Sequence, residues 1–486
     1  MTDKTPDNDV AGSTSIKVPV AANTLAVGVM GQDLPNDRVV PRKQVASWAL
    51  WDWATQPFNS VILTFVFASL YLISDNFLPA NIAALADGDP VKDRALADLS
   101  SGYGLATTIA GILIFLLAPV LGQRADANGN KKRVLLLFTA VLALLQFALF
   151  FVYASPAYFW LGAGLLALGA VVSEIAGVNY NAMLVQVSTK ATIGKVSGLG
   201  WGLGYLGGIV ALVIVVALTF ANWFGLDTSN GLAYRLIAVG AGVWTVVFSL
   251  PLFFNVPESA PSPGREKVGF FRSYVVLVKD IARLYRESRH TFWFLFASAV
   301  YRDGLAGVFA FGGVLAAVAF HFTTNEVLIF GIAANIVAGI STIIAGRIDD
   351  FVGPKAVILF TLFGLVAMAL FIFFLHDLGT AIFWTGGLIL SAFVGPAQAA
   401  SRSLLARVTP DGRQGEIFGL YATTGRVASF ISPALWTISI AIFGATIYGV
   451  LGIALVLLVG AVLLLFVKLP KYVRPEAPGS IPGSLA

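Results

Sequence analysis

The sequence predicts an all-α polytopic membrane protein, with twelve transmembrane helices arranged as two pseudo-symmetric six-helix halves. Three observations carry that expectation. Hydrophobic residues make up 57% of the chain and charged residues only 12%, with mean hydropathy +0.83, whereas soluble domains carry about 25% charged residues. Apolar stretches long enough to cross ~30 Å of hydrocarbon, about 20 helical residues each, recur twelve times. The decapeptide Gly122-Gln-Arg-Ala-Asp126-Ala-Asn-Gly129-Asn-Lys131 returns as Gly346-Arg-Ile-Asp-Asp350-Phe-Val-Gly353-Pro-Lys355, at a constant offset of 224 residues. Both copies read G-x-x-x-D-x-x-G-x-K, and a repeat about half a chain long is the mark of a duplicated unit.

Taken in order, residues 1–44 are polar and rich in Asp, Pro, Thr and Asn, too poor in apolar side chains to offset the entropy of ordering, and are expected to be a disordered tail. The first six spans are expected at 46–74, 100–123, 133–153, 157–184, 196–222 and 233–255, forming an N-terminal half over 45–255. The second six, at 291–320, 326–346, 355–375, 380–405, 416–441 and 446–468, form a C-terminal half over 291–470. Between them, 256–290 begins with Pro257, Pro261, Pro263 and Gly264, a linker composition. It continues with Tyr274, Val278, Ile281 and Tyr285 on one side of a helix and Lys279, Arg283 and Arg286 on the other, an interfacial amphipathic helix. Residues 471–486 form a second tail.

Basic residues in the connections set the orientation. Arg42, Lys43, Arg124, Lys132, Lys190, Lys195, Lys279, Arg347, Arg413 and Lys471 all fall in the tails and in the loops on the side of the tails. The opposite connections hold only Lys92, Arg94 and Arg235. Both termini are therefore expected in the cytoplasm, with the protein in the cell membrane, and an even number of spans agrees. The net charge of +5 reflects this bias, so no nucleic-acid partner is expected. There is no cysteine, and the only histidines, His290, His321 and His376, are scattered at span ends. Thiolate chemistry, a metal centre and an intramembrane enzyme site are thus disfavoured, and no phosphate-binding Gly-Lys-Ser loop points to ATP. No cofactor is expected, a proton being the candidate coupling ion; the partners are the lipid bilayer and a small solute, and the chain is expected to be monomeric.

Six plus six spans, a long linker and G-x-x-x-D-x-x-G-x-K after spans 2 and 8 resemble the major facilitator superfamily, in which this cytoplasmic signature is called motif A. Within it, Trp48-Ala-Leu-Trp-Asp52-Trp-Ala-Thr-Gln-Pro-Phe58, Asn179-Tyr-Asn-Ala-Met183 and the glycine series from Gly198 to Gly208 resemble the autophagy-related vacuole effluxer group and its bacterial relatives. Fungal members of that group are implicated in releasing amino acids from the vacuole. The resemblance implies the major facilitator fold and a secondary transporter working by alternating access, for a small polar solute of which amino acids are the named example. Drug or metabolite efflux is the alternative cargo, and a transporter-like sensor or scaffold the alternative role. The resemblance also implies that Asp126 meets the start of span 11 and Asp350 that of span 5. Gly122, Gly346, Gly129, Gly353, Lys131, Arg133 and Lys355 would complete a gating latch.

Five ionisable residues lie well inside the expected spans: Asp52, Glu174, Arg302, Asp303 and Arg426. At ~2.5–3.5 kcal/mol each near the bilayer centre, they must face water or one another. They are the candidate substrate or coupling-ion pathway, with Asn179, Asn181 and Gln398 as polar lining and Arg402, Tyr205 and Tyr421 beside them. Interhelical pairing is the competing use, notably for Glu174 with Arg426, and Arg302 and Asp303 point about 100° apart, so each needs its own partner. The internal repeat matches Leu184, Gly194 and Gly198 with Leu405, Gly415 and Gly419 at an offset of 221, and pairs Asp52 with Asp303 at 251.

Overall fold

A computed structural model describes residues 40–128, 130–188, 193–225, 229–258, 270–408, 420–421, 424–425 and 428–468. Among these, eleven helices are long and apolar enough to cross a membrane, and a twelfth, Ile431–Phe443, is shorter. Large apolar side chains such as Leu137, Phe220, Phe360 and Phe466 point outward, a surface that lipid rather than water accommodates. The face bearing the first and last described residues is called the terminal face below, and the opposite one the distal face.

Span 1, Arg42–Leu72, departs from the plain helix expected. It is α-helical through Pro57 and then continues in wide π turns over Phe58–Phe65 and Phe67–Leu72. Pro57 brings a ring and no N–H into the ladder, which loosens it locally, and π turns are where helices take up such adjustments. Span 7 widens at the corresponding distal end, over Leu315–Ala319.

Span 2 is a 39-residue helix, Pro90–Asn128, about 58 Å long at 1.5 Å per residue. It overshoots the expected 100–123 at both ends. Distally it is anchored by Asp89, whose carboxylate accepts the Val91 N–H at 2.8 Å, and by Lys92, buried and bonded to Asp75 and Asp87 at 2.7 Å each. Span 8, Thr324–Val352, starts at a capping box of Thr323 and Glu326 and likewise runs past the expected 346. The repeated decapeptide is therefore mostly helical among the described residues, and in its second copy one glycine turns the chain. Gly353 does so at φ 86°, a left-handed value that Gly adopts without steric cost.

The remaining spans are Lys131–Ala148, Phe159–Ala182, Ile193–Phe220, Leu232–Asn255, Pro354–Leu375, Thr380–Val408 and Gly449–Phe466 (spans 3–6, 9, 10 and 12), within a few residues of expectation. Span 11 differs: residues 420–421 and 424–425 are helical, and a turn at 428–430 separates them from a second piece, Ile431–Phe443. Span 2 packs on the Ile431–Phe443 piece of span 11, and span 8 on span 5. The linker helix is Phe270–Glu287. Its Leu284 is buried, its Tyr274 hydroxyl donates to the Leu116 carbonyl of span 2, and Tyr285 meets Phe292 edge-on at the start of span 7.

Candidate functional site: two opposite charges in equivalent places

Near the terminal end of span 1, Trp48 and Trp51 each stack on Tyr180 of span 4 with ring centroids 4.4 Å apart. The Trp48 indole donates to the Tyr180 carbonyl at 3.1 Å and the Trp51 indole to Thr139 of span 3 at 3.0 Å. This aromatic clamp fixes the Tyr180 hydroxyl, which donates to Asp52 at 3.0 Å. Asp52 is half-buried, about 15 Å along span 1 at 1.5 Å per residue, and its other oxygen makes no hydrogen bond among the described residues. Span 5 reaches it closely because Gly200 and Gly204 lack side chains: a methyl at Gly200 would lie 3.0 Å from the carboxylate and one at Gly204 3.5 Å from the Asp52 Cβ. Gly207 and Gly208 extend the contact along Trp53 and Ser60. The glycine series is a packing face.

Span 7 repeats this arrangement with the charge reversed. Arg302 donates to the Tyr421 carbonyl at 2.8 Å and lies over the Tyr421 ring at 3.9 Å, and a methyl at Gly425 would fall 2.6 Å from its guanidinium. Tyr421 and Gly425 correspond to Gly200 and Gly204 at the offset of 221. Tyr301, bonded to Ser401 at 2.7 Å, corresponds to Trp51 on Tyr180. The equivalent of Asp52 is thus Arg302, at an offset of 250, and not Asp303. The shared aspartate places the sequence match one residue away from the match between neighbours in the fold. Arg302 has no carboxylate partner among the described residues.

Asp303 also departs from its expected place on the pathway. It is buried at 3% exposure and accepts the Ser432 N–H at 2.6 Å, at the N-terminus of the second piece of span 11. A carboxylate there satisfies an orphan N–H and the positive helix end. Asn179 is likewise turned into the packing, 1% exposed, with its amide on the Ile175 carbonyl at 2.9 Å. By contrast Glu174, Asn181 and Arg402 are exposed and Gln398 half-buried, and Tyr205 lies within electrostatic reach of Arg402 across the two halves. Arg426 lies outside the described residues.

Of the repeated motif, Gly129, the side chains of Asp126 and Asp350 and the surroundings of Gly122 and Gly346 lie outside the described part. Lys131 is buried and Arg133 exposed, 3.8 Å from Glu258. The residue that sequence reasoning passed over is Lys132. Its ammonium donates to the Phe253 and Val256 carbonyls at 3.1 and 2.8 Å, at the C-terminal end of span 6. Lys355 does the same to Leu465 and Val467, at 3.1 and 2.8 Å, at the end of span 12. Lys132, not Lys131, is therefore the counterpart of Lys355, the first copy having one extra residue in its turn. A cation on the last carbonyls suits the negative helix end. The Lys-Lys pair was the available signal, and counting from Gly129 hid it.

On the distal side the halves are joined by hydrogen bonds and ring contacts. Trp436 of span 11 donates to Ser100 of span 2 at 3.2 Å and stacks on Phe311 of span 7 at 4.5 Å. Phe311 in turn meets Tyr103 edge-on at 6.2 Å. Gly313 and Gly331 let spans 7 and 8 close on Phe65. The distal side is shut by aromatic packing.

Comparison with known proteins agrees with this architecture. Residues 185–476 match the profile of the family described as "Vacuole effluxer Atg22 like". An MFS-type transporter of Bacillus subtilis, YxiO, is 27% identical over 434 residues, covering 87% of this chain and 95% of its own. Autophagy-related protein 22 of Cryptococcus neoformans is 23% identical over 290 residues, and the match spans about half of each chain, 55% of this one and 51% of that. Among solved structures, the nucleoside transporter NupG (13% identity, TM-score 0.59, covering 88% of this chain and 100% of that one) shares the fold. So does the human organic anion transporter MFSD10 (15%, TM-score 0.56, 87% and 100%).

Proposed function

From the premise that this chain belongs to the Atg22-like vacuole effluxer family, and is a major facilitator transporter and not an enzyme, we propose that it moves a small zwitterionic solute of the amino-acid class by alternating access. The observation that carries the substrate class is the opposite charge at equivalent positions of spans 1 and 7. An α-amino acid presents an ammonium and a carboxylate at its two ends. Asp52, with one oxygen held by Tyr180 and the other unpaired among the described residues, matches the first. Arg302, without a carboxylate partner among them, matches the second, and a guanidinium can hold a carboxylate through two hydrogen bonds. Because one group belongs to each half, a bound zwitterion bridges the halves, and its binding free energy is available to couple them. Glu174, Asn181, Gln398 and Arg402 line the route to this site.

Motion follows from the same division. Lysines 132 and 355 tie the third span to the sixth within each half, so each half moves as a unit. The distal aromatic contacts part when the halves rock, and the motif ends of spans 2 and 8 meet spans 11 and 5 on the other side. Asp126 and Asp350 act there as the latch. With the terminal face assigned to the cytoplasm of the cell membrane, from the distribution of Lys and Arg, the distally shut state is the inward-facing one. A proton on Asp52 cancels its attraction for the ammonium, so this carboxylate is also where proton coupling acts.

The test is exchange of labelled solutes across proteoliposomes, with neutral amino acids, their amides, their decarboxylated amines and sugars as competitors, with and without a proton gradient. Neutral amino acids are expected to exchange, while the amine and amide, each missing one charge partner, compete at least tenfold more weakly. Equal competition by the amine and the amino acid removes Arg302 from the proposal, and no exchange of any amino acid refutes the substrate class.

A further inference from the structure

The linker helix Phe270–Glu287 is fastened to both halves and leaves one side bare. It packs on spans 2 and 7: Leu284 is buried, the Tyr274 hydroxyl donates to the Leu116 carbonyl of span 2, and Tyr285 meets Phe292 of span 7 edge-on. Leu116 lies about 10 Å short of the expected end of span 2, at 1.5 Å per residue, so the helix rests where the hydrocarbon of the leaflet gives way to headgroups. Helices that lie on membranes sink ~5–10 Å into that boundary.

The side chains are sorted around this helix. At about 100° per residue, its positions pass from Leu284 through Ile281 and Tyr274 to Tyr285, Val278, Ala282 and Val275, and then to Arg286 and Lys279. The first three lie on the side that meets protein. The next four are exposed, Val278 at 64%. On the two spans that the helix packs against, Leu113, Leu116, Trp293 and Phe296 also point outward, so the apolar stripe continues the lipid-facing surface. Arg286 and Lys279 are exposed cations with no carboxylate partner among the described residues. Arg289, at the start of span 7, adds a third cation over the Tyr285 ring at 5.3 Å. Protein, then apolar stripe, then cationic edge is the order expected of a helix seated in one leaflet with its basic edge among headgroups.

We propose that this bare side docks onto anionic lipid headgroups of the leaflet at the terminal face, with Lys279 and Arg286 pairing with lipid phosphates and Val275, Val278 and Tyr285 entering the acyl boundary. Charge selects the lipid. The helix carries Arg272, Lys279, Arg283 and Arg286 against Asp280 and Glu287, and each Lys or Arg near an anionic surface strengthens association about fivefold. An acidic protein would match the cations but not an apolar stripe that lies at bilayer depth. The docking does not depend on the cargo proposed above.

In the naturally cysteine-free full chain, Val278→Cys carries a fluorophore, and the protein is reconstituted into phosphatidylcholine vesicles containing spin-labelled phosphatidylglycerol or spin-labelled phosphatidylcholine. Quenching by the phosphatidylglycerol is expected to be at least threefold stronger, and to weaken as salt rises. Lys279→Gln combined with Arg286→Gln is expected to bring the ratio near one while quenching by phosphatidylcholine persists. The same fluorophore on Leu137→Cys, outward-facing on span 3, is expected to show no preference. Val275→Cys replaces the first reporter if that variant fails to fold. Equal quenching of the reporter by the two lipids, or a preference that survives the double variant, overturns the site. Quenching by neither lipid puts the helix off the bilayer and overturns it as well. A preference abolished by inorganic phosphate at constant ionic strength assigns the cations to a soluble anion, and a disulfide-linked dimer through Val278→Cys assigns the face to a second copy; either result overturns the lipid.

Discussion

In the N-terminal half, span 5 runs unbroken from Ile193 to Phe220 and lays Gly200 and Gly204 against Asp52. In the C-terminal half, span 11 turns at 428–430 and sets Tyr421 and Gly425 around Arg302. The scaffold positions coincide, but their contents do not. Where the first half has a continuous helix and a carboxylate, the second has a helix interrupted at 428–430 and a guanidinium. The two halves thus share parts that hold each one together, such as the lysines capping spans 6 and 12, and differ in the central charges. A pair of like charges suits an ion of the other sign, whereas an opposite pair suits a dipolar solute.

The largest expected effect bears on that charge asymmetry. Arg302→Gln should lower kcat/KM for amino-acid exchange by about 100-fold, and Asp52→Asn by about tenfold, the range expected when a charge-assisted contact of about 1.5–3 kcal/mol is lost. Proteoliposome exchange measures both, and wild-type rates in either variant would break the comparison. Next is the broken helix, for which Asp303→Ala should destabilise the protein by about 2 kcal/mol, because Ser432 N–H and the positive helix end lose their partner. Its substrate affinity should stay within about twofold if Asp303 stands off the pathway; a large loss of affinity in a stable Asp303→Ala protein would return it there.

The two lysines offer a sharper test of equivalence. Lys132→Met and Lys355→Met should each cost about 1 kcal/mol and add within about 0.5 kcal/mol in the double variant, as distant sites do. Unequal costs in denaturant unfolding would mean that the two caps are not counterparts. The smallest effect belongs to the distal loop, where the hydrogen bond from Lys92 holds the exposed Asp87 carboxyl below its usual range. A carboxyl whose pKa is lowered on folding stabilises above its unfolded value, near 3.9, and that contribution fades as pH falls through the folded one. Asp87→Asn should therefore flatten the pH dependence of Tm slightly below about pH 4, and leave it unchanged at pH 7.

How much of this was legible beforehand depended on the kind of signal. Spans are written in composition, because hydrocarbon demands about 20 apolar residues whatever the fold, and the halves are written in the repeated Gly-x-x-x-Asp motif. Helix ends were read less well: span 2 continues to Pro90 and Asn128 because polar residues extend a helix into water as readily as they end one. The charges were found as a set, since Asp52, Arg302 and Asp303 are conspicuous in apolar runs. Their division into Asp52 and Arg302 on one footing and Asp303 on another was not, because two adjacent residues differ only in which neighbouring helix each one meets. Lys132 was missed for the same reason, a single-residue shift in a turn.

The sequence by itself determined that this chain lives in a bilayer, crosses it in two related sets of six and places ionisable groups where only a pathway or a partner makes them tolerable. Hydrophobic length and periodicity suffice for that, being local properties of the chain. Only the tertiary structure decided which carboxylate caps a helix and which keeps an oxygen without a hydrogen bond among the described residues, and that Arg302 mirrors Asp52. Those are relations between helices distant in sequence, fixed by how side chains pack once every span has found its neighbours.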